Sequence, residues 1–167
     1  MSFNASEAAK LVGVESGSMR ALDKVSKSDI RHWCEVLGDA DPDYRAKIAA
    51  GVKAAPPAMI MVWAQPPLWP PKEPTEPHEK LLKMLDDAGY DATAGIALEQ
   101  EFKAPVRIGD RLSYKVKVAG FSKGEEQTKM GKGYVVDLHY TFFDGSGKAV
   151  STQKYKVLKF RVMELAA

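Results

Sequence analysis

The chain lacks the usual marks of a secreted or membrane-spanning protein. Cys34 is the only cysteine among 167 residues, so no intrachain disulfide can form, and a reducing, cytoplasmic setting is expected. The longest apolar tract, Ala54–Ala64, is far shorter than the ~20 residues that cross a bilayer. Met1–Lys10 lacks the basic and apolar regions of a signal peptide. A nucleophilic thiolate needs a neighbouring base that this sequence does not supply, so Cys34 is interpreted as a packing residue.

Charge is also nearly balanced. The net charge of +2 is too small to imply nucleic-acid binding, and neither nucleic acid nor a membrane is expected as a partner. An apolar content of 45% and a charged content of 28% are ordinary for a globular protein. The length suits one domain, residues 1–167, with a substantial core.

Hydrophobic periodicity predicts helices in the first half of the chain. A short helix is expected at Ser6–Leu11, and a longer one carries Ile30, Trp33, Cys34 and Leu37 at helical spacing. Ser26 or Ser28 is the expected N-cap of the longer helix, and Gly38 is its expected end. Residues 58–64 are almost wholly apolar, which predicts a helix buried on every side.

A proline-rich excursion, residues 65–93, follows that apolar helix. It contains a further helix with Thr75 as the expected N-cap, Pro77 in the first turn and Gly89 as the stop. An excursion of this length within a compact domain is often a lid or a binding loop. We therefore expect an inserted proline-rich and helical lid.

The second half of the chain alternates between apolar and polar residues, which predicts strands. Four are expected, at Gly95–Val106, 112–118, 136–142 and Lys148–Val162, with a hairpin at Asp144-Gly145-Ser146-Gly147. Strands joined by short turns are expected to be antiparallel neighbours. The sheet needs a cover on its apolar face, and the apolar helix provides it. The sequence thus predicts an α+β architecture in which an antiparallel sheet wraps a long buried central helix.

One octapeptide is the most informative stretch. From Leu37 it reads Leu-Gly-Asp-Ala-Asp-Pro-Asp-Tyr. It resembles the active-site loop of MaoC-like hydratases, Gly-Asp-x-Asn-Pro-x-His, which it matches at Gly38, Asp39 and Pro42. Asp41 stands where that family has Asn, and Tyr44 stands where it has the catalytic His.

Two further motifs carry the resemblance. Pro56-Pro57 stands at the expected helix start, and Phe102-x-x-Pro105-Val106-x-x-Gly109-Asp110 is similar to a turn common in MaoC-like proteins. Together the motifs extend over about residues 22–160. The chain is similar above all to the N-terminal, FAS1-like dehydratase branch, which implies the hot-dog fold.

The resemblance also implies a chemistry that this chain lacks in part. Intact family members hold a water molecule between the Asp and the His and add it to a trans-2-enoyl thioester, while a helix N-terminus binds the thioester oxygen. A phenol titrates near ~10, so Tyr44 is a poor substitute for imidazole at neutral pH. Pro56 and Pro57 replace glycines and have no N–H, which leaves Ala58 and Met59 as donors. Asp39, Asp41 and Tyr44 are therefore degenerate catalytic positions, and the isolated chain is expected to be inactive.

The resemblance supplies a role for a degenerate chain. Some MaoC-like hydratases pair a short catalytic subunit with a degenerate partner that shapes the acyl tunnel. The implied function is the non-catalytic subunit of a heteromeric enoyl-CoA hydratase, acting on a bulky acyl group such as a steroid side chain. No metal or cofactor is expected beyond the coenzyme A thioester substrate. The alternatives are a homodimeric acyl-CoA thioesterase, a non-enzymatic acyl-CoA-binding module, and an unusual catalytic pair of Asp39 and Tyr44. No carboxylate lies between Ala46 and Gln65, which argues against the thioesterase.

Candidate binding residues fall into two groups. The helix and the segment after it supply the candidate acyl-group contacts Pro56, Pro57, Ala58, Met59, Trp63 and Trp69. The expected loop at 122–133 supplies the candidate contacts for coenzyme A phosphates, Lys123, Lys129 and Lys132, for which a solvated loop is the alternative. The three histidines, His32, His78 and His139, are interpreted as surface or half-buried residues.

Overall fold

A computed structural model describes residues 3–38, 54–67 and 69–162. The octapeptide positions Asp39, Asp41 and Tyr44 lie outside these residues, as does the helical turn expected at Ala46–Ala50.

The first two helices lie where the periodicity predicted. Helix α1 spans Ala5–Ala9 and helix α2 spans Lys27–Leu37. The Ser26 hydroxyl accepts a hydrogen bond of 3.2 Å from the Asp29 N–H and caps α2. Gly38 ends α2 at φ 61°, in the left-handed region that glycine adopts without steric cost. Both predicted ends of α2 are confirmed.

The helical cover of the sheet is divided into two pieces. A 3₁₀ turn at Pro57–Met59 leads into α3 at Ile60–Ala64, and α4 follows at Pro77–Asp87. The connection contains five prolines, at positions 66, 67, 70, 71 and 74. Because proline has no N–H and disfavours helix in the residue before it, α3 cannot run on into α4. The two helices and the irregular proline-rich connection between them were predicted, but α3, with five residues, is shorter than the long central helix that was expected.

Helix α3 and its preceding turn are buried on one side only. The buried side chains are Met59, Ile60, Trp63 and Ala64. Pro57 and Ala58 are exposed, and Val62 is 38% exposed. The expectation of burial on every side is wrong within this chain, because the side of α3 that faces away from the sheet has no cover among the described residues.

Helix α4 begins one residue later than expected. Its N-cap is Glu76 rather than Thr75. The Glu79 carboxylate accepts hydrogen bonds from the N–H groups of Glu76 (3.0 Å) and Thr75 (2.9 Å), which fixes the start of the helix. Pro77 occupies the first turn as predicted. The apolar stripe packs into the core through Leu81, Leu85 and Ala88.

The described strands form one antiparallel sheet. They are β1 Met19–Arg20, β2 Ala92–Phe102, β3 Ser113–Phe121, β4 Glu126–Gln127, β5 Gly131–Phe143 and β6 Ala149–Val162. Their order is β1-β3-β5-β6-β2, with β4 paired to β5. The four long strands were expected, although β2 ends at Phe102 rather than at Val106. The sequence prediction missed β1 and β4.

One predicted neighbour relationship is wrong. Strands β2 and β3 follow each other in the chain but lie in different parts of the sheet, with β5 and β6 between them. The ten residues from 103 to 112 connect them. This connection is long enough to cross the end of the sheet, which a tight turn cannot do.

The core lies between the concave face of the sheet and helices α3 and α4. The concave face presents Val116, Val118, Val136, Leu138 and Phe142, each at most 1% exposed. Cys34 is half-buried and packs against this core, as expected. No helix in the described part of the chain is long and apolar enough to cross a membrane.

Candidate functional site

An apolar cleft of about 200 Å³ lies at the start of the 3₁₀ turn. The Ala55 N–H donates to the Val106 carbonyl at 2.8 Å, and this bond joins the helix start to the β2–β3 connection. The cleft is lined by Ala54, Ala55, Pro57, Ile60, Phe102, Ala104, Pro105, Val106 and Val150. This described lining contains no titratable side chain, so it suits a hydrocarbon group and offers no acid or base.

The helix start beside the cleft has few N–H groups to offer a ligand. Pro57 has none. The Met59 N–H donates to the Pro56 carbonyl at 3.0 Å, and the Ile60 N–H donates to the Pro57 carbonyl. At most the Ala58 N–H is left for a ligand oxygen. The expectation that Met59 also offers its N–H is wrong, because the tight turn uses that group internally.

The predicted acyl-contacting residues lie in different places. Pro57 lines the apolar cleft. Met59 is 1% exposed and belongs to the core. Trp63 is 3% exposed and lines a second, more polar cavity of about 450 Å³, together with Asp23, Lys24 and Asp29. Trp69 is 82% exposed and belongs to neither cavity lining. The structure therefore does not bring the predicted set together in one pocket.

The three candidate phosphate-binding lysines are all exposed. Lys123 precedes β4, Lys129 follows it, and Lys132 lies on β5 opposite Gln127. The described ion pairs do not include any of them. Their ammonium groups are thus accessible to an anion.

Helix α4 is anchored at its C-terminal end. Lys159, 4% exposed, extends its ammonium group to Asp86 Oδ1 at 2.5 Å and to Thr93 Oγ1 at 2.6 Å. Arg161 donates to the Ala88 carbonyl at 2.7 Å. The predicted lid comprises residues 65–93, and its helical part is α4. These contacts attach α4 to β6 and to the start of β2.

The histidines are not gathered at the cleft. His32 is exposed on α2, and His139 Nε2 lies 3.4 Å from Asp137 Oδ1. His78 is 8% exposed, so the interpretation of a surface or half-buried residue is wrong for it. Its Nδ1 is buried and has no hydrogen-bond partner among the described residues. Burial lowers the pKa of His78, against the opposing charges of Glu79 and Glu76.

Strand β2 forms one edge of the described sheet, with β6 on its only paired side. It carries large apolar side chains that are open to solvent: Ile96 at 47%, Leu98 at 60% and Phe102 at 48% exposed. An exposed apolar edge strand is a typical surface for pairing with another chain.

An antiparallel sheet curved over α3 and α4, with a cleft at the start of the turn that precedes α3, is the arrangement of the hot-dog fold class. Comparison with known proteins agrees with this class. A family model described as the FAS1-like dehydratase domain region matches residues 10–153. The chain therefore belongs to the FAS1-like dehydratase region family, as the sequence motifs predicted.

Two curated proteins are similar to this chain over most of its length. The chain is 32% identical over 146 residues to the 3-oxo-4,17-pregnadiene-20-carboxyl-CoA hydratase alpha subunit of Mycobacterium tuberculosis, covering 84% of this chain and 46% of that protein. It is 31% identical over 151 residues to a probable enoyl-CoA hydratase alpha subunit of Thermomonospora curvata, covering 85% and 47%. The chain thus spans about half the length of the curated relatives it matches.

A solved structure is similar over nearly the whole chain. It is a chain of the ChsH1-ChsH2 complex from Mycobacterium tuberculosis, with a TM-score of 0.79 and 28% identity, covering 95% of this chain and 96% of that one.

Of the residues that line the cleft, only Pro57 was predicted from the sequence as a contact for the acyl group. Phe102 and Pro105 were noted as a family motif but not as site residues, and Val150 carried no signal. These residues come together only because β2 and β6 are neighbours, which the expected strand order did not include.

Proposed function

We propose that this chain is the substrate-shaping, non-catalytic subunit of a heteromeric enoyl-CoA hydratase. A short MaoC-like partner subunit with an intact Asp and His loop supplies the proton transfers. The reaction is the addition of water to a bulky trans-2-enoyl-CoA, and a steroid side chain is the preferred acyl group.

The helix start is the observation that carries this proposal. Thioester hydratases need donors where negative charge develops on the thioester oxygen. Here Pro57 has no N–H and the N–H groups of Met59 and Ile60 are used within the turn. In the sequence, a phenol at Tyr44 replaces the imidazole base. Both the oxyanion donors and the base are thus impaired, and a second subunit has to provide them.

The size of the cleft supports a shared site. Drug-sized ligands occupy pockets of ~300–1,000 Å³. The cleft beside Pro57 measures about 200 Å³ and opens to the surface at Phe102, which is 48% exposed. A bulky acyl group therefore needs further walls, and a partner that docks against β2 would supply them.

The edge of β2 supports assembly. Its unpaired backbone groups can extend the sheet into a second subunit, and Leu98 and Phe102 offer apolar area to bury there. The names of the relatives are consistent with this role, since two are called alpha subunits of hydratases and the similar solved chain comes from a two-component complex.

Reconstitution tests the proposal. The purified chain is expected to show no hydration of crotonyl-CoA or of a steroid enoyl-CoA, and activity is expected to appear when the catalytic partner is added. In the complex, Tyr44→Phe is expected to leave the rate unchanged, while replacing the partner's catalytic His abolishes it. Normal turnover by the chain alone would overturn the proposal.

The exposed lysines extend the proposal to coenzyme A. Lys123, Lys129 and Lys132 are proposed to meet its phosphates, since ammonium groups bind phosphate as point charges. Exchanging all three for Gln is then expected to raise KM for the CoA ester while kcat stays the same. An unchanged KM would instead indicate a solvated loop.

A further inference from the structure

The concave face of the sheet carries a row of polar side chains next to the β2 edge. Tyr140 on β5 pairs with Gln153 on β6, and Gln153 pairs with Gln100 on β2. Directly opposite residues in antiparallel strands point to the same face and lie about 4.5–5.5 Å apart at Cβ. Gln153 and Gln100 are therefore close enough to contact one group.

Both amides contain a buried atom that lacks a partner. Gln153 is 2% exposed, and its Oε1 has no hydrogen-bond partner among the described residues. The Nε2 of Gln100 is likewise buried and unpaired there. Buried polar groups normally have a hydrogen-bond partner, and a buried group without one destabilises the folded protein. One free acceptor and one free donor thus stand side by side.

The neighbouring rows do not satisfy them. On one side of the row lie Leu138, Tyr155 and Leu98, and on the other lie Phe142, Ser151 and Phe102. The Ser151 hydroxyl already donates to the Glu101 carbonyl at 2.8 Å. The amide pair is therefore flanked by apolar and aromatic side chains and by one serine hydroxyl that is already engaged.

The amide pair is continuous with the apolar cleft. Phe102 lines the cleft, and Gln100 lies two residues before it on the same face of β2, about 7 Å farther along the strand. Leu98, one step beyond Gln100 on that face, is 60% exposed, so the described helices leave this end of the concave face open. An acyl chain that enters at Pro57 and continues past Phe102 along this face would meet the amide pair next.

We infer that Gln100 and Gln153 form a recognition point for a hydroxyl group on the acyl chain of the substrate. A hydroxyl oxygen accepts from the Gln100 Nε2–H and donates its hydrogen to Gln153 Oε1, so a single group satisfies both amides. A ketone satisfies only Gln100, and a plain hydrocarbon satisfies neither. The inference rests on the proposed function, because it places the acyl group in the cleft.

Matched thioesters test the inference. The probes are trans-2-decenoyl-CoA and the same compound with one hydroxyl at each position from C6 to C10. At one or more positions, the complex with its catalytic partner is expected to show kcat/KM about 10- to 100-fold above that for the unsubstituted ester. Gln100→Met and Gln153→Met, which keep the length of the side chain, are expected to remove this preference, so that the hydroxylated and unsubstituted esters have similar kcat/KM.

The control is Gln127→Met, the same exchange at an exposed residue of β4, which is expected to keep the preference. Absence of preference at every hydroxyl position would overturn the inference, and would indicate that a water molecule or a side chain of the partner occupies the amides. An equal loss of rate with both kinds of ester in the Met variants would also overturn it, because it would show a purely structural role.

Calorimetry separates this inference from the proposed function. Binding of saturated decanoyl-CoA and its hydroxylated forms is measured on the same complex, where no turnover is needed. A complex that hydrates nothing but prefers a hydroxylated ester overturns the proposed function and supports the recognition point. An active complex with no such preference overturns the recognition point alone.

Discussion

The indole nitrogen of Trp63 donates a hydrogen bond of 3.0 Å to Asp29 Oδ2. The bond joins α3, which borders the cleft, to the first turn of α2, whose last residue, Leu37, begins the octapeptide. This contact between a neutral donor and a carboxylate therefore helps to hold together the two elements that flank the site.

Trp63→Phe keeps an aromatic ring and removes the donor. Because a hydrogen bond to a charged group contributes about 1.5–3 kcal/mol, we expect the unfolding free energy to fall by about that amount. Urea denaturation measures it, and a double-mutant cycle with Asp29→Ala isolates the pair. The control is Trp69→Phe, at a residue that is 82% exposed, where a change within about 0.5 kcal/mol is expected. Equal losses in Trp63→Phe and Trp69→Phe would contradict the assigned bond.

The two side chains of the Lys159–Asp86 ion pair differ in exposure, so replacing one or the other is expected to destabilise the chain by different amounts. The Lys159 side chain is 6% exposed and that of Asp86 is 44% exposed. Asp86→Ala leaves a buried charge without its partner, so we expect a loss of about 3 kcal/mol. Lys159→Met leaves a carboxylate that water can reach, so its loss is expected to be smaller. Chemical denaturation of both variants checks the order.

The exposed ion pair of Lys83 and Asp87 provides the control for the buried contact between Lys159 and Asp86. It joins residues of the same helix, and its side chains are 47% and 55% exposed. Asp87→Ala is expected to change stability by less than about 0.5 kcal/mol. If Asp86→Ala were equally mild, the buried ammonium would not anchor the helix.

His78 predicts a loss of stability in mild acid. Its pKa is held below the ordinary 6.5 by burial. As pH falls below 6.5 the unfolded chain takes up a proton that the folded chain refuses, so the unfolding free energy falls until the pH reaches the folded pKa. Urea denaturation between pH 7.5 and pH 5 measures this loss. His78→Leu is expected to flatten the dependence, whereas His32→Leu, at an exposed residue, keeps it. A steep dependence that persists in His78→Leu would assign the loss to other groups.

Leu98→Lys is expected to weaken assembly without unfolding the chain. The residue is 60% exposed on β2, so a charge is tolerated in the free chain but is buried when a partner pairs with this edge. Size-exclusion chromatography with the catalytic partner measures association, and thermal melting checks the fold. Met130→Lys is the matched control, since this residue is 46% exposed on the β4–β5 connection. An intact complex with Leu98→Lys would place the interface elsewhere.

Local patterns predicted local structure well. The caps of α2 at Ser26 and Gly38 follow from side-chain and backbone preferences that act within a few residues. The alternation of apolar and polar residues over 112–118 and 136–142 predicted strands β3 and β5. The class and the family branch followed from motifs whose order along the chain was distinctive.

Long-range relationships were not predictable in the same way. The pairing of β2 with β6, rather than with β3, depends on the ten-residue connection 103–112, whose motif indicates a turn but does not indicate which strands become neighbours. The amide pair of Gln100 and Gln153 depends on that pairing, so it was not visible in the sequence. Helix α3 is buried on one side only, although burial on every side was expected. Apolar composition does not distinguish a helix face that packs against the chain's own core from a face that the chain leaves exposed.

The proline-rich stretch between α3 and α4 is mostly exposed and belongs to neither helix. Each half of the cover is held to the rest of the molecule by contacts of its own, with Trp63 serving one and Lys159 the other. Substitutions in the half that borders the cleft therefore need not disturb the half that is anchored through Lys159. Such decoupling would allow related chains to change substrate preference while keeping the same framework.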